Sequence, residues 1–441
     1  DVLLVDERAV PGGQYYKQPA EGAGPLLDAQ QTAGADLVAK VAASGARVWR
    51  KAELWGAFAP DQIFLTHAGA TRRVVAKAIV LATGAIERPW PVPGWTLPGV
   101  MTTGAAQTLW RSSRTLPGSR VLVAGNGPLN LQVACELAAG GASVVGVLEA
   151  APLFAPARWA ALARMALADP ALAFDGAKLL ATAKGRAIPL RFGTRVVAIE
   201  QAIGGLRVTS RDLSGVERTD ICDTVALGHG FLPANEIARA LGCAHIHDTA
   251  RGHLVCTRSP DMETSVPNVF AVGDGCGLGG APAAREEGTI AGHAIALRLG
   301  RGADTAEVAG ARARLTRHRH FQAALWAAYA AERPGLSLCD ADTLVCRCEE
   351  VSWRTIEACL ADGAPALAEV KRRTRVGMGR CQGRYCGPLL ADHLALTGGR
   401  ALDERALFAP RGPLRPIAIG DIVATGERSG EGAPPARAER P

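Results

Sequence analysis

Aromatic side chains are scarce in this sequence, and no hydrophobic run is both long and unbroken. Phe, Trp and Tyr make up 5% of the 441 residues, too few for a surface that stacks nucleic-acid bases. The longest charge-poor stretch, Val121 to Leu148, carries only Glu136, but Gly125-Asn126-Gly127-Pro128 interrupts it and would break a spanning helix. We therefore expect neither a nucleic-acid partner nor a membrane span.

A dominant charge and a disulfide pattern are also absent. The formal net charge is only +7, from 49 basic and 42 acidic residues, and apolar residues make up 48%. The 11 cysteines are odd in number, which favours free thiols in a reducing compartment, the cytoplasm, over a disulfide framework. No Ser-His-Asp or paired-carboxylate pattern is present, so no catalytic residue is assigned.

Short apolar runs that end in glycine-rich turns predict an α/β fold. The clearest unit is a strand at Arg120–Ala124, a helix at Leu129–Ala139 and a strand at Ser143–Leu148. Its length is typical of a βαβ unit that binds a mononucleotide.

The turn of this unit contains Gly125, Gly127 and Asn130, and Glu149 ends its second strand. In dinucleotide-binding folds such glycines let the backbone approach a pyrophosphate, and the acid binds the ribose. Asn130 replaces the third glycine and would crowd the helix against the strand. Two alternatives stay open: a site for NAD or another nucleotide, or a Rossmann-type domain that binds no nicotinamide.

The opening of the chain carries a second signal. Glu7 ends an apolar strand, and Pro11-Gly12-Gly13-Gln14 follows it. An acid at a strand end followed by a glycine pair is the second half of a dinucleotide fold. The strand and glycine-rich turn that should precede them do not occur, so we expect the first βα unit to be missing.

The third signal is the run Thr264–Asp274, which ends in Gly273-Asp274. With Ala82-Thr83-Gly84, it resembles the two-dinucleotide-domain flavoproteins of the glutathione/thioredoxin reductase type. In that family Thr83 and Gly84 mark the crossing between domains, while Gly273 and Asp274 meet the ribityl and phosphate groups of FAD. The resemblance therefore implies FAD.

The disulfide reductases of that type carry a cysteine pair beside the flavin. Here Gln14-Tyr15-Tyr16-Lys17 occupies one of the two possible places and a lone Cys135 the other. Dithiol chemistry is therefore not expected.

Four cysteines form the most specific pattern of the chain. Cys346 and Cys348 are separated by one residue, and Cys381 and Cys386 by four. Four thiolates can bind a cluster or one tetrahedral ion, although zinc sites usually have two residues between paired cysteines. The spacing alone predicts a four-thiolate site.

The runs Cys346–Glu350 and Gly377–Cys386 resemble the bacterioferritin-associated-ferredoxin type of 2Fe-2S domain. That domain also ends the flavoprotein subunits of heteromeric amine-oxidising dehydrogenases, among them the opine oxidase, proline and hydroxyproline dehydrogenase and hydrogen cyanide synthase families. The resemblance covers nearly the whole chain. It implies a 2Fe-2S cluster, a second flavoprotein subunit that carries the substrate site, with or without a small third subunit, and a quinone or redox protein as electron acceptor.

The resulting hypothesis is an FAD- and 2Fe-2S-containing electron-transfer subunit of a dehydrogenase acting on C–N bonds. The alternatives are a self-sufficient NADH-dependent reductase and a non-catalytic assembly subunit with a structural nucleotide. The expected divisions are an FAD-binding domain in two parts, a second dinucleotide-binding domain between them, a helical linker, a 2Fe-2S domain and a tail. Their ranges are 1–104 and 231–302, then 105–230, 303–341, 342–400 and 401–441.

Overall fold

The computed structural model describes residues 1–333, 335–363, 366–398 and 402–423. These residues form two α/β units, a long helix and a small cysteine-containing unit. Among them, no helix combines the length and apolar character that a membrane crossing requires. Residues 401 and 424–441 of the expected tail lie outside the described ranges.

The first α/β unit opens with a parallel strand pair and a three-stranded antiparallel sheet. β1 pairs with β2, and β3, β4 and β5 are neighbours in that order. Ala68 and Gly69 both have positive φ, as a tight two-residue hairpin turn requires. The elements are β1 (Leu3–Val5), α1 (Ala29–Ala43), β2 (Arg47–Trp49), β3 (Glu53–Ala59), β4 (Gln62–His67), β5 (Ala70–Val75), β6 (Ile79–Leu81) and β7 (Ala85–Glu87).

The second α/β unit contains a five-stranded parallel sheet in the order β11-β10-β9-β15-β8, and a three-stranded antiparallel sheet. Val121 and Val123 of β9 face one apolar core while Leu122 and Ala124 face the other, so both sides of this strand are buried. The elements are β8 (Val100–Thr102), α2 (Thr103–Ser113), β9 (Arg120–Gly125), α3 (Pro128–Ala139), β10 (Ser143–Glu149), α4 (Trp159–Ala168), α5 (Pro170–Gly185), β11 (Leu190–Phe192), β12 (Thr194–Ala202), β13 (Gly205–Asp212), β14 (Glu217–Cys222) and β15 (Thr224–Gly228).

The chain then returns to the first unit. β16 pairs antiparallel with β7, and β19 pairs parallel with β6, so residues far apart in sequence complete one fold. The returning elements are β16 (Phe231–Pro233), α6 (Glu236–Ala240), β17 (His245–Asp248), β18 (His253–Cys256), β19 (Val269–Ala271) and α7 (Gly280–Arg298).

The long helix α8 packs against α4 and α7, and the cysteine-containing unit follows it. Ile356, Val370 and Leu390 are fully buried in the core of this unit together with Cys346 and Cys386. The elements are α8 (Thr305–Ala328), β20 (Leu344–Cys346), β21 (Val351–Ser352), α9 (Trp353–Ala361), α10 (Leu367–Thr374) and α11 (Cys386–Gly398).

The α/β class and the two-unit architecture confirm the predicted fold, and two details differ. β1 ends at Val5, so Glu7 lies beyond the strand rather than at its end. The division expected at residue 104 falls inside α2, whereas β8 already pairs with β15 of the second unit. The change of unit therefore comes before Val100.

Candidate functional site

Two strand ends of the first unit meet at one point. Because β6 and β19 run parallel, the residues that follow them, Thr83 with Gly84 and Gly273 with Asp274, lie at the same edge. A Cβ atom added at Gly275 would lie 2.5 Å from the Thr83 hydroxyl oxygen. The structure therefore brings these predicted residues together.

Helix α7 begins directly beside this edge. Asp274 Oδ1 accepts hydrogen bonds from the amides of Gly279 (2.9 Å) and Gly280 (2.7 Å), so the carboxylate caps the helix. The positive N-terminal end of this helix thus faces the strand edge, where it favours negative charge.

A buried ion pair fixes the Gly273 turn from behind. Glu287 Oε2 accepts from the Gly273 amide at 2.8 Å and from Arg258 Nη1 at 2.8 Å. Arg258 was not found from the sequence, because no local pattern connects it to a glutamate on α7. Its role is to hold Glu287, and through it the turn.

The loop Gly12-Gly13-Gln14 bends sharply and lies at the surface. Gly12 has φ +131° and a Cβ there would be 2.5 Å from the Tyr16 carbonyl oxygen, whereas a Cβ at Gly13 would meet nothing within 4 Å. Gln14 is exposed, as is Glu7. The open space at Gly13, repeated at Gly84, fits a group that approaches the backbone closely, as FAD does.

Lys17, three residues after Gln14, is a buried cation that sequence reasoning did not assign to the site. It is 1% exposed, and its Nζ donates to the Thr108 hydroxyl at 2.6 Å. Burial, and then the charge of Arg8, lower the pKa of Lys17 to about 8. Its place in the loop was visible, but a lone lysine gives no sequence signal of burial.

The second glycine turn is held by its own side chains. Gly125 has φ +157° and packs against the Gly228 carbonyl, where any Cβ would clash. Asn130 is 2% exposed; it donates to Gly228 O at 2.8 Å and accepts from the Thr103 hydroxyl at 3.0 Å. The side chain expected to crowd helix against strand instead joins α3 to α2 and to the end of β15.

Glu149 is directed into the same turn. Its Oε1 accepts from Asn126 Nδ2 (2.7 Å) and the Ala151 amide (2.9 Å), and its Oε2 accepts from the Gly127 amide (2.9 Å). Burial raises the pKa of Glu149 to about 7 despite these hydrogen bonds. Both oxygens of the predicted ribose ligand are thus bound within the chain.

The four predicted cysteines gather into two sulfur pairs. Cys348 Sγ lies 3.5 Å from Cys381 Sγ at the surface, while Cys346 and Cys386 are each 1% exposed. The Cys346 and Cys386 thiols share a hydrogen bond, which lowers the pKa of Cys346 and raises the pKa of Cys386. Each pair takes one cysteine from each sequence motif.

The backbone around these thiols is closely fitted. The amides of Gly377 and Glu349 donate to Cys346, and a Cβ at Gly379 would lie 2.6 Å from Cys348 Sγ. Among the described residues no set of three or more His, Cys, Asp or Glu is placed so that it could hold a single metal ion. A two-iron cluster makes a different demand, because its four thiolates are divided between two metals. Two sulfur pairs with amide donors fit a cluster of that kind.

The cysteine loop is fixed to the first unit. Arg384 Nε contacts Glu236 Oε1 at 2.5 Å, and Arg384 Nη2 donates to Leu414 O at 2.8 Å. The Phe408 ring covers Gly377 and Gly383, where a Cβ would strike it. Glu236 and Phe408 are far from the cysteines in sequence, and no pattern predicted their roles.

Two family models match the chain. The model described as pyridine nucleotide-disulphide oxidoreductase matches residues 30–288, and the BFD-like [2Fe-2S] binding domain matches residues 344–395. The second range contains all four cysteines.

Curated relatives match over nearly the whole length. An opine oxidase subunit from Rhizobium meliloti (strain 1021) is 32% identical over 429 residues, which are 96% of this chain and 93% of the relative. Hydrogen cyanide synthase subunit HcnB of Pseudomonas aeruginosa is 33% identical over 435 residues, 94% and 91% of the two chains. Among solved structures, L-proline dehydrogenase from P. horikoshii has a TM-score of 0.66 at 18% identity and covers 96% of this chain and 74% of its own, which shows a shared fold.

Proposed function

The chain belongs to the pyridine nucleotide-disulphide oxidoreductase family, and on that premise we propose that it is an electron-transfer subunit containing FAD and a 2Fe-2S cluster. The enzyme of which it forms part is a multi-subunit dehydrogenase that acts on C–N bonds of amino acids, imino acids or opines. Relatives named as subunits of opine oxidase and hydrogen cyanide synthase support this assignment.

The observation that carries the proposal is the position of the four cysteines. Cys346, Cys348, Cys381 and Cys386 form two sulfur pairs. Arg384, between the last two of them, fixes this motif to the first α/β unit, which we call the flavin-type unit. FAD accepts two electrons as hydride and a 2Fe-2S cluster passes them singly. A chain that holds both groups can relay electrons between a two-electron donor and a one-electron acceptor.

We assign the flavin to the edge formed by Thr83, Gly84, Gly273 and Asp274. The α7 N-terminus at this edge would stabilise negative charge on the reduced flavin. Glu7, Gly12, Gly13 and Gln14 are proposed to meet the adenosine and pyrophosphate part.

Several contacts hold the cysteine unit against the two α/β units. Besides the pair of Arg384 and Glu236, Arg239 Nη2 of the flavin-type unit donates to Phe408 O at 2.9 Å. Trp95, which packs against the core of the second unit, donates from Nε1 to Leu344 O at 2.7 Å, two residues before the first cysteine. These contacts hold the thiols in a constant place, as electron transfer between two sites requires.

The remaining parts of the proposal concern partners. A second flavoprotein subunit carries the substrate site, with or without a small third subunit, and a quinone or redox protein accepts the electrons. The cytoplasmic location predicted from the cysteine content belongs to the proposal as well.

The proposal is tested by assaying the purified chain alone and after reconstitution with its partner subunit. The chain alone should contain flavin, iron and acid-labile sulfide but should not oxidise proline, hydroxyproline or an opine. The reconstituted complex should oxidise at least one of them with a dye as acceptor. Turnover by the isolated chain, or a chain free of iron after anaerobic purification, would contradict the assignment.

A further inference from the structure

The end of helix α8 lies across the glycine turn of the second unit. Asn126, in the middle of that turn, donates from Nδ2 to the Tyr329 carbonyl oxygen at 2.9 Å. Burial, and then the charge of the Glu149 carboxylate, raise the pKa of the Tyr329 phenol. The backbone of Tyr329 therefore contacts the glycine turn, and its ring is buried in the same region of the second unit.

The chain secures this end of α8 with several contacts. Arg158, on the loop after β10, donates to Ala327 O at 2.9 Å and to Ala330 O at 2.6 Å. Ala328 is fully buried against Leu153 and Ala161. These bonds satisfy carbonyl groups that a helix end leaves free, so the segment is held against the loop after β10.

In a dinucleotide-binding fold, the cofactor binds at this position. The pyrophosphate lies over the glycine turn at the helix N-terminus, and the acid at the end of the second strand binds the adenosine ribose. Here Glu149 accepts three hydrogen bonds from its own chain, and Asn126, one of the donors, also donates to the Tyr329 carbonyl oxygen. Both oxygens of the acid that would bind a ribose are thus bound within the chain, and the end of α8 lies beside them.

We propose that the C-terminal end of α8, with Tyr329, is an internal occupant that closes the second dinucleotide site to NADH. Electrons then reach this chain from the partner subunit and not from a reduced nicotinamide. The inference goes beyond the proposed function, because it concerns the donor and holds for any C–N substrate.

The test measures NADH binding to the full-length protein by the fluorescence of the bound nucleotide and by calorimetry. Three proteins are compared: the wild type, Tyr329→Ala, which removes the ring, and Tyr329→Phe, which keeps it. We expect no binding to the wild type or Tyr329→Phe at about 1 mM NADH, and binding at least about tenfold tighter by Tyr329→Ala. ADP-ribose should give the same order, because the blocked part is the adenosine side.

Arg158→Ala is a second variant that releases the end of α8 without changing the turn, and it should also bind NADH more tightly than the wild type. Far-UV circular dichroism and flavin content verify that each variant is folded. Wild-type binding of NADH with a dissociation constant of about 1 mM or below would overturn the proposal. Folded Tyr329→Ala and Arg158→Ala proteins that still exclude NADH would overturn it too, because the closure would then not come from α8. Neither result depends on iron, the partner subunit or dehydrogenase activity, so this test can fail while the proposed function stands.

Discussion

Buried amide and carboxylate side chains hold the second glycine turn through hydrogen bonds to main-chain atoms. Asn130 joins three elements from one position, and Glu149 binds the amides of Gly127 and Ala151. A buried polar group that loses its partner costs more free energy than the hydrogen bond alone contributes. Single substitutions here should therefore have measurable effects on stability.

Asn130→Ala should lower the free energy of unfolding by about 2 kcal/mol, since the Gly228 carbonyl and the Thr103 hydroxyl both lose a buried partner. Denaturant titration measures the change. Gln201→Ala, at an exposed position of β12, is the control and should stay within about 0.5 kcal/mol of the wild type. Equal stability of the two variants would show that Asn130 does not join α3 to β15.

Gly379→Ala should remove most of the bound iron, because the new methyl group would lie 2.6 Å from Cys348 Sγ. Iron and sulfide analysis measures the loss, and flavin content should not change. Gly292→Ala, on α7 where a Cβ meets nothing within 4 Å, should retain its iron. Full iron occupancy in Gly379→Ala would contradict the placement of Cys348 in the cluster site.

The contribution of Glu149 to the free energy of unfolding should fall as pH rises from about 4.5 to about 7. Burial raises its pKa from 4.5 to about 7 in the folded chain, so the folded state keeps a proton that the unfolded state has already lost. The melting temperature of Glu149→Gln relative to the wild type should therefore increase over this interval and level off above it. A difference that does not depend on pH would mean that Glu149 is ionised throughout.

Among the secondary-structure elements, the βαβ unit of the second domain followed directly from the sequence. The helix predicted at Leu129–Ala139 is found at Pro128–Ala139, and the strand predicted at Ser143–Leu148 at Ser143–Glu149. Buried parallel strands have continuous apolar runs and the glycine turn fixes where the helix begins. Local patterns were sufficient there.

Elements that depend on distant contacts could not be predicted in the same way. β8 has only three residues, and its place in the second sheet is set by pairing with β15. The linker predicted to be helical over 303–341 contains α8, which ends at Ala328, and Tyr329 directly after it contacts the glycine turn of the second unit. Asn126 and Tyr329 are 203 positions apart, and no periodicity connects residues at that separation.

The sites show the same division between local and distant information. The cysteine motifs and the glycine turns were visible because their residues are close in sequence. Arg258, Glu236 and Phe408 support those turns from distant positions. Their residue types are common, so only the folded chain distinguishes them from ordinary surface or core residues.

For the whole molecule, the cysteine unit should loosen from the flavin-type unit in Arg384→Ala. This change removes the contact with Glu236 and the hydrogen bond to Leu414 O, both partly shielded from water. Limited proteolysis should cut faster between residues 329 and 343 than in the wild type. Arg347→Ala, at an exposed arginine beside the cysteines, should be cut at the wild-type rate, and equal rates for all three proteins would contradict this role of Arg384.

The central claim is that electrons pass through this chain from flavin to a cluster held by four cysteines. The most direct measurement adds substrate anaerobically to the reconstituted complex and follows flavin bleaching, the paramagnetic signal of the reduced cluster and reduction of the acceptor. The account predicts all three in the wild type, and bleaching without the cluster signal or acceptor reduction in Cys346→Ser and Cys381→Ser. Wild-type acceptor reduction by the two serine variants would contradict it.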